Sequence, residues 1–120
     1  MVQKVTVSKA EYPDWPLETL GAAIADGDPR ASGKVTFQTE DKLVLGGVWG
    51  CSVGTFDLTF GWDEMALLLE GELIIQEPSG SQVNIQPGEF FFCPKGTRSR
   101  WTVMKPIKKV FFIRTPQPLS

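Results

Sequence analysis

WDEMALLLEG, residues 62–71, sets a turn-like Trp-Asp-Glu ahead of a run of hydrocarbon that closes on an acid and a glycine. Alternation along an extended chain puts Met65, Leu67 and Leu69 on one face and Glu64, Ala66, Leu68 and Glu70 on the other. Both faces are largely apolar, so the segment reads as a central strand. One face belongs to an interior and the other to a second sheet or a partner subunit. Just upstream, in GTFDLTF (54–60), Phe56, Leu58 and Phe60 share the interior face, while Asp57 and Thr59 share the outer one. The question this raises is what an acid at position 64 does beside so much hydrocarbon.

Outward from that segment, short runs rich in Val, Ile, Phe, Thr and Trp alternate with Gly, Pro, Ser and Asp clusters, the pattern of an all-β barrel or sandwich. Strands are predicted over 34–39, 43–53, 56–60, 65–70, 73–77, 82–85, 90–93, 99–103 and 110–114. EPSGSQ (77–82) reads as a hairpin connection, and QPGE (86–89) places Pro and Gly where a type II turn takes them. Gly46, Gly47 and Gly50 inside one long run predict bulges or a close approach of backbones. Before residue 34 the character differs. LETLGAAIADG (17–27) has Leu17, Leu20 and Ile24 at roughly helical spacing, framed by Pro13, Pro16 and Pro29. Residues 1–33 therefore read as an extended arm with one or two helical turns, attached to a single barrel over 34–120.

At 120 residues the chain is the size of one domain. Its net charge is -2 and its cations are scattered, which argues against a nucleic-acid partner. No stretch resembles a secretory leader or a membrane-spanning helix, so a cytoplasmic protein is expected. Cys51 and Cys93 lie in apolar strand contexts and read as buried, reduced thiols. The chain contains no histidine. Serine- or cysteine-histidine catalysis and histidine metal sites are thus excluded within one chain.

The spacing from Glu64 to Gly71, together with GEFFFCPKG (88–96), is similar to the two motifs of the cupins. With GDP (27–29), GVWGCSVG (47–54), SRW (99–101) and KKVFFI (108–113), it resembles the small single-domain cupins related to (S)-ureidoglycine aminohydrolase. The resemblance implies an RmlC-like antiparallel jelly roll, and activity on a ureide- or amine-type compound. It also implies a metal motif that this chain lacks. The positions of the two first-motif histidines fall on Leu58 and Phe60, or one residue earlier if the spacing is stretched, and neither option supplies a nitrogen; that of the second falls on Ser99, and only the acid, Glu64, remains. Transition-metal sites need three or four N, S or O ligands, so no metal cofactor is expected. An oxygen-only divalent site from Glu64, Asp57, Asp63 and Ser99 is the lesser alternative.

What remains is an aromatic and aliphatic cavity with a few polar groups, the usual form of a small-molecule site. Phe60, Ser99, Trp101, Trp49 and Trp62 are its candidate ligand-binding residues, and Glu64 its candidate acid or base. Glu64 otherwise lies solvated at the barrel rim or pairs with a cation such as Arg98 or Arg100. By the same resemblance Lys109 matches a lysine found before the last strand in these small cupins, and beside Lys108 it reads equally well as part of a charged turn. The expected function is binding of a small polar metabolite, with turnover by Glu64 as an extension. A non-catalytic sensor, or a structural homodimer whose barrel is filled by Leu58, Phe60 and Trp101, are the alternatives. The two outward apolar strands predict a homodimer in each case.

Overall fold

A computed structural model describes residues 2–118. After two 3-10 turns, Val7–Lys9 and Leu17–Leu20, the chain forms eight strands: β1 (Ala23–Gly27), β2 (Ala31–Gln38), β3 (Val44–Cys51), β4 (Gly54–Thr59), β5 (Asp63–Gln76), β6 (Gln82–Ile85), β7 (Phe90–Cys93) and β8 (Arg98–Arg114). All ladders are antiparallel. The architecture is the all-β jelly roll expected of a cupin.

Two long strands organise it. The first half of β5 pairs with the last third of β8, Asp63 opposite Arg114 through Leu68 opposite Lys109. The second half pairs with the start of β8, Leu73 opposite Val103 through Gln76 opposite Arg100. At one end β7 and β3 extend this pair and β2 follows β3; at the other β6 and β4 extend it and β1 follows β4. The two five-stranded sheets, β2-β3-β8-β5-β7 and β1-β4-β8-β5-β6, thus share both central strands. The change of sheet occurs where the register slips, between Leu68 and Leu73. Gly71 makes that slip sterically feasible: its φ is +89°, and a Cβ there would lie 2.2 Å from the Pro106 carbonyl oxygen. Gly47 meets the predicted close approach, since a Cβ on it would lie 2.0 Å from the Lys34 carbonyl oxygen.

Three sequence expectations change. The runs 65–70 and 73–77 are one strand, and so are 99–103 and 110–114, because bulges opposite Gly71 and around Pro106 bend the ladder without reversing it. The helical reading of 17–27 holds only for Leu17–Leu20. Gly21 then takes a left-handed conformation, and Ala23–Gly27 pairs with β4 as β1. The arm over 1–33 therefore supplies β1 and the first residues of β2. It also lies along the outer edge of β2, where Trp15 N donates to Ala31 O and Gly33 N to Pro13 O, at 3.0 and 2.9 Å.

Alternation places Phe56, Leu58 and Phe60, then Glu64, Ala66 and Leu68, and Lys109, Phe111 and Ile113 in the interior. Leu73, Ile75, Ile85 and Val103 fill the end beyond the bend. On the outer face Met65 lies opposite both Phe92 and Phe112, and all three are about half exposed. Among the described residues no helix is long and apolar enough to cross a membrane.

Candidate functional site

The half of the interior bounded by the start of β5 and the end of β8 is not filled. A cavity of about 380 Å3 remains there, walled by Trp49, Phe56, Leu58, Phe60, Trp62, Trp101 and Phe111, with Glu64 and Lys109 as its charged groups. Leu58, Phe60 and Trp101 are walls of this space rather than plugs. The arm supplies one side of it through Trp15, Thr19 and Leu20, and Trp15 packs edge-on against Phe111 at 6.1 Å.

Glu64 is 6 % exposed and Lys109 4 %. Their side chains form an ion pair between Nζ and Oε2, while the indole Nε1 of Trp62 donates to the other carboxylate oxygen, Oε1, at 2.9 Å. The ammonium stands 4.7 Å from the ring centroids of both Trp49 and Trp101, which are edge-on to one another. Two indole faces and one carboxylate thus replace the water that a lysine ammonium would otherwise bind. Trp101 is held in turn by stacking on Phe56 at 5.7 Å and by the edge of Phe91. The indole Nε1 atoms of Trp49 and Trp101 are buried without a hydrogen-bond partner among the described residues.

The cation that meets Glu64 is therefore neither Arg98 nor Arg100. Arg98 points outward, and Arg100 makes a bidentate contact with Asp57 on the outer face at 2.8 and 3.0 Å. The guanidinium of Arg100 holds the Asp57 carboxyl below the usual carboxylate range. Asp63 accepts from Lys95 N at 2.8 Å and pairs with Arg114; the backbone N–H first, and the arginine second, lower its pKa. These contacts tie the start of β5 to the loop after β7 and so fix the position from which Glu64 projects.

Of the residues read from the sequence, Glu64, Phe60, Trp49, Trp62 and Trp101 come together around the cavity. Ser99 does not join them. It is buried, but its hydroxyl donates to Leu58 O at 2.8 Å, and it borders a separate furrow of about 520 Å3 beside Asp57, Arg98 and Arg100. That furrow is the larger hollow, but its Asp57–Arg100 pair is half exposed, whereas the smaller one carries a buried ion pair on an apolar wall. Trp15 and Phe111 are members that the sequence left unassigned, and of the two readings open for Lys109 the structure excludes the charged turn, since it lies buried within β8. Cys51 and Cys93 are buried and free, and burial pushes both thiols up to about 11.

A cupin metal would need ligands at the positions of Leu58, Phe60 and Ser99. Two are hydrocarbon, the hydroxyl of the third is engaged, and Glu64 already carries a cation. The oxygen-only alternative is not assembled either, since Asp57 and Asp63 face arginines elsewhere. Among the described residues no three His, Cys, Asp or Glu side chains cluster. The donor set does not fit a metal.

Comparison with curated proteins found no match. Among solved structures the chain is similar to the EutQ protein of Clostridium difficile, with 25 % identity over 73 % of this chain and 70 % of that one, at a TM-score of 0.66. It also resembles a putative ethanolamine utilization protein Q of Salmonella typhimurium, with 20 % identity, 71 % and 69 % coverage and a TM-score of 0.63. Ectoine synthase from P. lautus shares 18 % identity over 73 % and 66 % of the two chains, with a TM-score of 0.63. The model of the EutQ-like cupin domain matches residues 38–111, which span β3 to β7 and most of β8 and include both Glu64 and Lys109. The chain belongs to the EutQ-like cupin family.

Proposed function

We propose that this cupin binds a small organic molecule in the half-open end of its barrel. The molecule's apolar part lies against Trp49, Phe60 and Trp101, and its polar head meets Lys109 and Glu64. The observation that carries this reading is a buried ion pair on the wall of an otherwise apolar cavity. Such a pair does not stabilise a core better than hydrocarbon of the same volume, because both charges lose their hydration. Its presence beside unfilled space favours recognition of a ligand over a purely structural role.

The pair is electroneutral, which favours a head that is itself neutral or dipolar. An acceptor such as a carbonyl oxygen would take an N–H of Lys109, and a donor would face Glu64. Ureide- and amine-type compounds, implied by the resemblance to ureidoglycine aminohydrolase relatives, satisfy part of that pattern. Turnover would use Glu64 as proton acceptor and donor; a sensor would use the same contacts without it. In either case no resident transition metal is needed. Two free, buried cysteines suit a reducing, cytoplasmic setting.

A second copy of the chain is the partner in this reading. A two-fold contact needs a patch complementary to itself, and the uncharged row of Met65, Phe92 and Phe112 meets that need. The deciding experiment is thermal denaturation with a panel of neutral amides, ureides, amines and carboxylates. A concentration-dependent rise in Tm for one class, lost in Lys109→Met, supports the site. A panel without any such rise overturns it.

A further inference from the structure

The ion pair has a second capacity that binding alone does not use. We infer that Lys109 is a nucleophile for aldehydes and ketones, forming a protonated imine inside the barrel with Glu64 as its proton carrier. A lysine that attacks carbonyl carbon needs a partner to take its proton, shelter from water and an apolar space for the rest of the substrate. Each is present around one atom. Nζ of Lys109 touches Glu64 Oε2, the side chains are 5 % and 7 % exposed, and the cavity of about 380 Å3 begins beside them. Trp62 holds the other oxygen of Glu64, so the oxygen that faces the lysine keeps its aim.

The step conserves atoms and charge. A proton passes from the Lys109 ammonium to Glu64, which replaces two buried charges by two neutral groups and leaves the net charge of the cavity unchanged. The freed lone pair on Nζ forms a bond to the carbonyl carbon, and the C=O π pair moves to oxygen. A proton then moves from nitrogen to that oxygen, giving a neutral carbinolamine. Glu64 returns its proton to the hydroxyl, the C–O bond breaks, water leaves, and the nitrogen lone pair completes C=N. The sum is ammonium plus carbonyl compound giving iminium plus water. The iminium is again a cation beside the Glu64 carboxylate and over the indole faces of Trp49 and Trp101, at 4.7 Å in the ground state. Surroundings that hold the ammonium therefore suit the product equally well.

The substrate class follows from the walls: an aldehyde or ketone whose remaining atoms are mostly apolar and planar enough to lie against indole. A charged carbonyl compound would add an unbalanced charge to a neutral, desolvated cavity, at a cost its carbonyl contacts do not offset. This activity uses the cavity of the binding function and rests on it, but the two fail separately.

The chain carries its own control in Lys108, the preceding residue, whose side chain is 48 % exposed and whose acid, Glu70, lies 3.8 Å away in solvent rather than at a cavity. Full-length protein is incubated with benzaldehyde and cyanoborohydride at neutral pH, and the N-benzyl-lysine sites are mapped by tandem mass spectrometry of non-tryptic peptides. Lys109 should be labelled at least about tenfold faster than Lys108, since a sheltered acid in direct contact and an adjoining cavity outweigh exposure and the looser, solvated Glu70 beside Lys108. Glu64→Gln should slow Lys109 labelling by about a hundredfold, the usual contribution of a placed acid-base group, and leave Lys108 unchanged. In Lys109→Arg the fast site should vanish. Labelling of Lys109 no faster than of Lys108 in the unaltered protein overturns the proposal without any variant having to fold. Benzyl alcohol, which fills the same space without a carbonyl, separates the two readings: a rise in Tm with it but no fast labelling leaves binding intact and removes the imine.

Discussion

Lys109 on β8 and Glu64 on β5 are 45 residues apart in sequence and form an ion pair whose two side chains are 5 % and 7 % exposed. Removing one partner strands the other charge in an apolar wall. Glu64→Leu or Lys109→Met alone should cost about 3–5 kcal/mol, and the double variant distinctly less than the sum of the two. Urea denaturation of the three variants, read as a double-mutant cycle, measures the difference.

Trp62 tests the orientation of the acid independently of its charge. Trp62→Phe keeps an aromatic ring at the position but loses the N–H that Glu64 Oε1 accepts at 2.9 Å, together with the pyrrole part of the indole. Loss of a hydrogen bond to a charged group predicts about 1.5–3 kcal/mol of destabilisation. Chemical denaturation gives the value, and a loss below a few tenths would show that the indole only packs there.

Stability should fall at both ends of the pH scale for different reasons. Asp57 and Asp63 have folded pKa values below the ordinary carboxylate value, so their contribution is present above about pH 4 and is lost as pH falls through the depressed values. Cys51 and Cys93 are raised from 9.0 to about 11. Between those values the unfolded thiols give up protons that the folded ones keep, so stability declines from pH 9 toward 11. Tm across pH, compared with that of a Cys51→Ala/Cys93→Ala variant, should show the alkaline limb flattened when the thiols are absent.

Gly71 and Gly80 share a positive φ, +89° and +91°, but differ in surroundings. At Gly80 nothing lies within 4 Å of an added Cβ, and Gly80→Ala should cost about 1–2 kcal/mol, the expense of the left-handed backbone alone. At Gly71 the Cβ would also strike Pro106 O at 2.2 Å. Gly71→Ala should be the more damaging by at least about 2 kcal/mol, or prevent folding, because the bend of both central strands passes through that contact. Soluble yield and urea midpoints rank the two.

On the outer face, Phe92→Glu and Phe112→Glu place a carboxylate in the half-exposed apolar row beside Met65. Sedimentation equilibrium should show a dimer for the unaltered chain and a monomer for either variant, with unchanged circular dichroism. A monomer in the unaltered protein removes the second copy from the proposed function.

Period-two alternation was enough to read the barrel and to place Phe56, Leu58 and Phe60 inside, because GTFDLTF carries hydrocarbon in one phase only; on β5 both phases are apolar, and Glu64 stood out by its cupin-like spacing to Gly71 instead. Alternation did not decide between the two readings of Lys109, a lysine matched in the small cupins and part of a charged turn. In KKVFFIR both phases hold apolar residues, so either lysine could be the inward one, and its acid lies on another strand. β1 escaped for a different reason. Ala23–Gly27 is exposed throughout and has little β-propensity, and the pairing with β4 that makes it a strand is a tertiary contact. Gly71 and Pro106 read locally as strand ends; only the opposed ladder shows that they are a bend within continuous strands.

The cation beside Glu64 is part of the polypeptide. Its charge is supplied by translation, so it needs no loading step, does not exchange with the ions of its surroundings and survives a chelator. It also changes what the site can ask of a guest. Where a metal ion offers empty orbitals, an ammonium offers hydrogens, so the guest of the proposed function would bring lone pairs and meet them from a fixed direction.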